Sequence, residues 1–132
     1  MSAPTNQVLE PRTYQVTRAD LVAYAAASGD PNPIHTDEEV ARAVGLPGVI
    51  AHGMYTLALA ARYVDEWAGG PGQITELAAK FTRPVVVPAG EDGALVTVAG
   101  VVSEKDGRRA VAMTVTCEGE KVLGNPRAVL RG

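Results

Sequence analysis

The stretch SGDPNPIHTDEEVARAVGLPGVIAHGM, Ser28 to Met54, holds both of the chain's histidines. Pro31 and Pro33 deny helix to its first part, because each fixes its own φ and biases the residue before it towards extended backbone. Asp30 and His35 are therefore expected on a stiff loop. Upstream, Thr17 followed three residues later by Asp20 has the spacing of a helix N-cap with an acidic first turn, and Gly29 is a natural stop. Downstream, Thr36 and Glu39 have capping-box spacing for a second short helix ending at Gly45. LPGVIAHG then reads as a connector into a third helix, from His52 or Gly53 to Trp67. Met54, Leu57, Ala58, Ala61 and Val64 share one face of that helix, and Tyr55, Leu59 and Tyr63 occupy others. A helix apolar almost all round is normally enclosed by other structure.

After GGPGQ, the turn leaving this helix, the period falls to that of strands: VTVAGVVSE, RAVAMTVTC and VLGNPRAVL, separated by KDGR and EGEK. Asp106-Gly107 is a hairpin turn signal, and Val111, Met113, Val115 and Cys117 alternate with smaller or polar residues. Pro84 and Pro126 fall in the first and last candidate strands of this half, which places them at edges or bulges. Helices first and antiparallel strands afterwards predict an α+β fold. The chain of 132 residues fits a single domain spanning 1–132.

Composition narrows the function classes. With 12 Lys+Arg against 15 Asp+Glu the net charge is −3, and the basic residues are scattered, so a nucleic-acid surface is not expected. The single cysteine, Cys117, has no internal disulfide partner and reads as a buried strand residue. No secretory leader or membrane span is visible, which predicts a soluble cytoplasmic protein. Neither GxGxxG nor GxxxxGK[ST] occurs, and Ser28 lacks a nucleophile-elbow pattern.

The chemistry is concentrated in the opening stretch. A histidine exchanges protons near neutral pH, and a nearby carboxylate can orient it or share the transfer, which makes Asp30 and His35 a candidate acid/base pair. The alternative is that Asp30 and Asn32 only turn the chain and His35 is a surface loop residue. Gly53, at the start of the third helix, could present an unpaired backbone N–H to a developing oxyanion, or could be glycine because another segment crosses closely there. His52 reads as a hydrogen-bonded structural residue. Asp30, His35, Asp37 and His52 offer metal-type ligand atoms but lack a metal-site spacing.

YAAASGDPNPIHTDEEVA from Tyr24, followed by GLPGVIAHGM, resembles the hydratase motif of the MaoC-like dehydratases, which include (R)-specific enoyl-CoA hydratases. Single hot-dog dehydratase subunits of HadB type are the nearest likeness in length and motif. The resemblance implies a hot-dog fold, an antiparallel sheet wrapped around a long central helix. It implies reversible hydration of trans-2-enoyl thioesters, of CoA or acyl-carrier protein, to (3R)-hydroxyacyl thioesters, without a cofactor or metal. Carried over by position, the catalytic residues fall on Asp30 and His35, the glycine facing the thioester carbonyl on Gly53, and the loop-shaping asparagine on Asn32. It further implies a homodimer, or a heterodimer with a second hot-dog chain. Two positions depart from the pattern: Val40 stands where an aromatic is frequent, and Ala61 where some family hydratases have serine. A thioesterase of the same fold and a noncatalytic acyl-binding or partner subunit are the competing readings.

Overall fold

The computed structural model describes residues 6–131. Among them the elements run β1 (Gln7–Val8), β2 (Arg12–Val16), α1 (Arg18–Ser28), a 3-10 turn (Pro33–His35), α2 (Glu38–Ala43), α3 (Gly53–Ala68), β3 (Ile74–Phe81), β4 (Ala94–Lys105), β5 (Arg108–Cys117), β6 (Glu120–Lys121) and β7 (Leu123–Leu130). The strands form one antiparallel seven-stranded sheet in the order β1-β4-β5-β7-β3, with β2 also on β4 and β6 on β5. Helix α3 packs on β3, β4, β5 and β7. This is the hot-dog arrangement, and the α+β expectation holds.

The helix signals nearest the opening stretch are borne out in detail. Thr17 accepts from the Asp20 N–H while the Asp20 carboxylate accepts from the Thr17 N–H, a complete capping box. Gly29, at φ 74°, closes α1 through its N–H to Ala25. The second cap is corrected: Asp37, not Thr36, caps α2, its Oδ1 accepting from Glu39 and Val40 N–H. A carboxylate outcompetes a hydroxyl at a helix start because it is charged as well as an acceptor.

Helix α3 buries a face that shares only Val64 with the one the sequence periodicity picks out. Thr56, Leu59, Ala60, Tyr63 and Val64 are buried, whereas Met54 is 58% exposed. The sheet therefore covers the helix from one side only. Close packing on that side shapes the sheet itself: a Cβ on Gly100 of β4 would lie 3.1 Å from the Tyr63 ring, so glycine lets the ring lie flat on the strand. The Tyr63 hydroxyl then donates to the Glu10 carbonyl at 2.7 Å, fastening the segment between β1 and β2.

Strands also precede the helices, since β1 and β2 line one side of β4. The hairpin between β4 and β5 turns at Asp106 and Gly107, φ 54° and 77°, the positive pair that a two-residue turn with right-handed strand twist needs. Pro126 lies in β7, an internal strand between β5 and β3, where the β3 pairing skips from Arg127 to Gly124. It sits at a bulge, not an edge, and Asn125 at φ 49° makes the irregularity. Pro84 falls outside the named strands, in the segment that carries the Ile50–Val86 bridge.

Helix α1 is tied down sparingly. Leu21 is its only fully buried residue, worth roughly 1.5–3 kcal/mol of transfer free energy. Arg18 adds the rest: Nε donates to the Val87 carbonyl at 2.9 Å and Nη2 meets Glu38 at 2.7 Å, which joins α1, α2 and the 82–87 segment. The guanidinium holds the Glu38 carboxyl below the usual range. That junction frames the loop from Gly29 to Asp37.

Candidate active site

The loop after α1 is a run of side-chain turns. Asp30 N–H donates to Ser28 Oγ, Asn32 N–H to Asp30 Oδ1 at 3.2 Å, and Ile34 N–H to Asn32 Oδ1 at 3.2 Å. Asn32 thereby starts the 3-10 turn that delivers His35, with Pro33 as its first residue. Asp30 stays exposed and His35 is buried, at 7% exposure. His35 Nδ1 lies 2.8 Å from the Ile50 carbonyl. Because a carbonyl only accepts, Nδ1 carries the proton in the neutral ring, and Nε2 is left as the atom that can take one up.

The connector then returns to the same place. The Ile50 N–H donates to the Ile34 carbonyl, and Ala51 and Val87 bond across to Val85 and Val49. His52 precedes α3, gives it no side-chain cap, and is 2% exposed. The first N–H groups of α3, including that of Gly53, therefore face out of an uncapped helix start with its partial positive charge. The His52 ring stacks on His35, centroids 3.8 Å apart and planes 22° apart, and meets the edge of Tyr24 at 4.8 Å.

The protonation state of His52 follows from its surroundings. Nε2 lies 3.4 Å from the Asp30 carbonyl, so it carries the proton, and Nδ1 is buried without a partner. A buried unpaired polar atom costs about 1–3 kcal/mol. Burial, and then the neighbouring His35, push the pKa of His52 below its ordinary value, so the ring stays neutral near pH 7.

Asp30, His35 and His52 offer ligand-capable atoms within 4.8 Å of one another. The imidazole lone pairs lie in their ring planes, and stacked rings present them side by side without converging on one point. The cluster suits proton exchange better than a shared ion.

Two cavities flank Gly53. One of about 350 Å³ is lined by His35, Gly53, Thr56, Phe81, Val85 and Leu123, among others. The other, about 470 Å³, is lined by Asp30, His52, Gly53, Met54, Tyr24 and Phe81, with Ser28. Phe81, at the end of β3, belongs to both. A Cβ on Gly53 would lie 3.0–3.2 Å from its ring, so the close-crossing reason for a glycine and the free helix-start N–H coexist at this residue. The structure thus brings together Asp30, His35 and Gly53, with Asn32 in the turn between the first two.

A family model described as MaoC like domain matches residues 1–122. The chain belongs to the MaoC-like domain family. This MaoC-like chain is 32% identical over 103 residues to an (R)-specific enoyl-CoA hydratase of Rhodospirillum rubrum, covering 77% of the chain and 69% of that protein. It is 40% identical over 75 residues to 3-hydroxyacyl-thioester dehydratase X of Mycobacterium tuberculosis, which is 57% of the chain but only 26% of that longer protein. A solved MaoC-like dehydratase superposes at TM-score 0.89 with 36% identity, covering 99% of the chain and 40% of the structure. The HadBC dehydratase complex of M. tuberculosis shares the fold, at TM-score 0.69 and 18% identity over 96% of the chain and 94% of that chain.

Three features of the MaoC-like site lie beyond local sequence signals. Thr56 brings a 5%-exposed hydroxyl-bearing residue into the His35 cavity, and Phe81 arrives from a strand distant in sequence. Leu57 and Ala61, on the face of α3 that the apolar periodicity picks out, line neither cavity, whereas Val85 and Val122, in segments outside the named strands, line the first. Helix periodicity would have found Thr56 only once the buried face was known.

Proposed function

We propose that this chain interconverts trans-2-enoyl and (3R)-hydroxyacyl thioesters of CoA or an acyl-carrier protein, as a hydro-lyase of fatty-acid metabolism. The observation that carries the reading is the meeting of Asp30 and His35 with the uncapped start of α3 at Gly53, beside cavities with apolar walls. The (R)-specific hydratase among the relatives supports the same stereochemical outcome.

In the hydration direction the thioester carbonyl takes the Gly53 N–H, where the negative charge of an enolate-like oxygen develops against the helix start. A water held between the Asp30 carboxylate and His35 Nε2 adds its oxygen to C3. It gives one proton to the pair, and the pair returns one proton to Cα; dehydration reverses both transfers. Both transfers run through the two side chains together, so the division of labour belongs to the pair. Such acid/base groups contribute about 10² to 10⁴ in rate, and one oxyanion donor about 10² to 10³.

A second hot-dog subunit completes the enclosure. Edge strand β3 contains no fully buried residue, and Met54 and Phe81 are each 58% exposed at the cavities. The heterodimeric dehydratase among the fold neighbours supports such a partner. Among the described residues no helix is long and apolar enough to cross a membrane; a cytoplasmic location is part of the proposal.

The test is loss of the conjugated-thioester ultraviolet absorbance of a short trans-2-enoyl-CoA. Asp30→Asn keeps the Oδ1 that holds the Asn32 N–H, and His35→Asn keeps an amide donor for the Ile50 carbonyl. Each is expected to lose at least about 10²-fold in turnover at unchanged thermal midpoint. Release of free CoA without hydroxyacyl product would instead make the chain a thioesterase.

A further inference from the structure

The histidine that the mechanism does not use is the more deeply buried of the two. His52 fills its site at the cost of an unpartnered Nδ1, which an apolar ring of similar size would avoid. Its polar contact goes to the Asp30 main chain and its face lies on His35. The remaining hydrogen bonds of the loop are local: Ser28, Asp30, Asn32 and Pro33 bond only to near neighbours. Among the described residues, the His52 contact is the one hydrogen bond tying Asp30–Pro33 to a residue distant in sequence.

We propose that His52 is a positioning residue for the proton-transfer pair, its Nε2–H holding the Asp30 carbonyl while its ring face sets the plane of the His35 imidazole. The proposal rests on the hydratase reading for its kinetic consequence, but not for its structural one. Tyr24 of α1 braces the His52 ring in an edge-type contact at 4.8 Å and also meets Tyr55 of α3 at 5.2 Å, so the His52 ring is linked to both helices. One imidazole then registers three things against one another: the loop bearing Asp30, the ring of His35, and the helix start at Gly53 that follows it in the chain.

Two shorter amides separate this role from space filling. Glutamine places its amide nitrogen near the position of Nε2 and can still donate to the Asp30 carbonyl. Asparagine reaches only the position of Nδ1. With trans-2-enoyl-CoA as substrate, His52→Gln is expected to keep kcat within about tenfold of the wild type, while His52→Asn loses about 10²-fold with KM little changed, the scale of an ångström-sized misplacement. Amide hydrogen exchange at Asn32 and Ile34 should be faster in His52→Asn than in His52→Gln or the wild type. Equal kcat losses in the two variants, with equal exchange, overturn the proposal. If the wild type shows no turnover, the hydratase reading fails on its own, and the exchange comparison alone decides the role of His52. A thermal midpoint for each variant identifies one that has lost the fold, in which case exchange in Tyr24→Leu, which removes the brace but leaves both histidines, replaces it: faster exchange at Asn32 upholds the proposal and wild-type exchange overturns it.

Discussion

A neutral, buried histidine couples stability to pH at the level of one residue. The pKa of His52 is depressed in the folded chain by burial and by His35, with the Asp30 carbonyl and carboxylate only partly opposing the shift. The unfolded chain therefore binds the proton more readily than the folded one as pH falls below about 6.5. Stability from this group is complete above that value and is lost progressively towards the depressed folded value. Thermal midpoints measured between pH 7.5 and 5.5 should fall, and His52→Gln should flatten the fall. Glu38 and Glu66, held low chiefly by their hydrogen bonds to Arg18 and Tyr14, act in the same direction but below the usual carboxylate range, near pH 4.5 and under. An unchanged slope in His52→Gln would mean that His52 binds its proton equally well in the folded and unfolded chain. At this scale the sequence was highly informative: Asp30, Asn32 and His35 were legible because prolines and Asx turns act over two or three residues. The stacking of His52 on His35 was not, since the residues are far apart along the chain and meet only when the connector folds back.

At the scale of elements, the start of α3 and the end of β3 act as one unit. Gly53 has free backbone donors and, 3.0–3.2 Å from its missing Cβ, the Phe81 ring. Adding a methyl there forces an exposed ring to move, so Gly53→Ala should fold and yet lose turnover as ring or helix start shifts into the cavity. Combining it with Phe81→Ala should recover part of the loss. If the double variant is no better than Gly53→Ala, the crossing of Phe81 is not what requires glycine there. Helix limits were readable from Thr17, Gly29 and the GGPGQ turn because capping is local chemistry. The buried face of α3 was not, because an almost wholly apolar helix has no polar side to declare which face meets the sheet. Strands β1 and β2 were missed for a related reason: they are short, and their partner β4 lies some eighty residues further along the chain.

For the whole molecule, the sheet covers one side of α3 and leaves Met54 and Phe81 exposed beside both cavities. A thioester lying there remains open to solvent until a neighbour covers it. Light scattering is expected to give twice the monomer mass; a chain that is monomeric should gain activity on addition of a hot-dog partner. A monomer fully active by itself would remove the need for a second subunit. The α+β class was visible from the switch between helical and strand periods and the hot-dog arrangement was implied by the motif resemblance, while the internal place of β7, with Pro126 at its bulge, depends on sheet order that no local period encodes.

Both imidazoles donate their hydrogen bonds to main-chain carbonyls, those of Ile50 and Asp30. Every residue type has that oxygen, so neither ring depends for its orientation on the identity of the side chain it is bonded to. Mutational drift at Ile50, or chemical alteration of the Asp30 carboxylate, leaves the anchors standing. A lineage that abandoned the reaction could therefore keep this architecture unchanged, and a catalytically silent descendant would be told apart by its side chains and not by its shape.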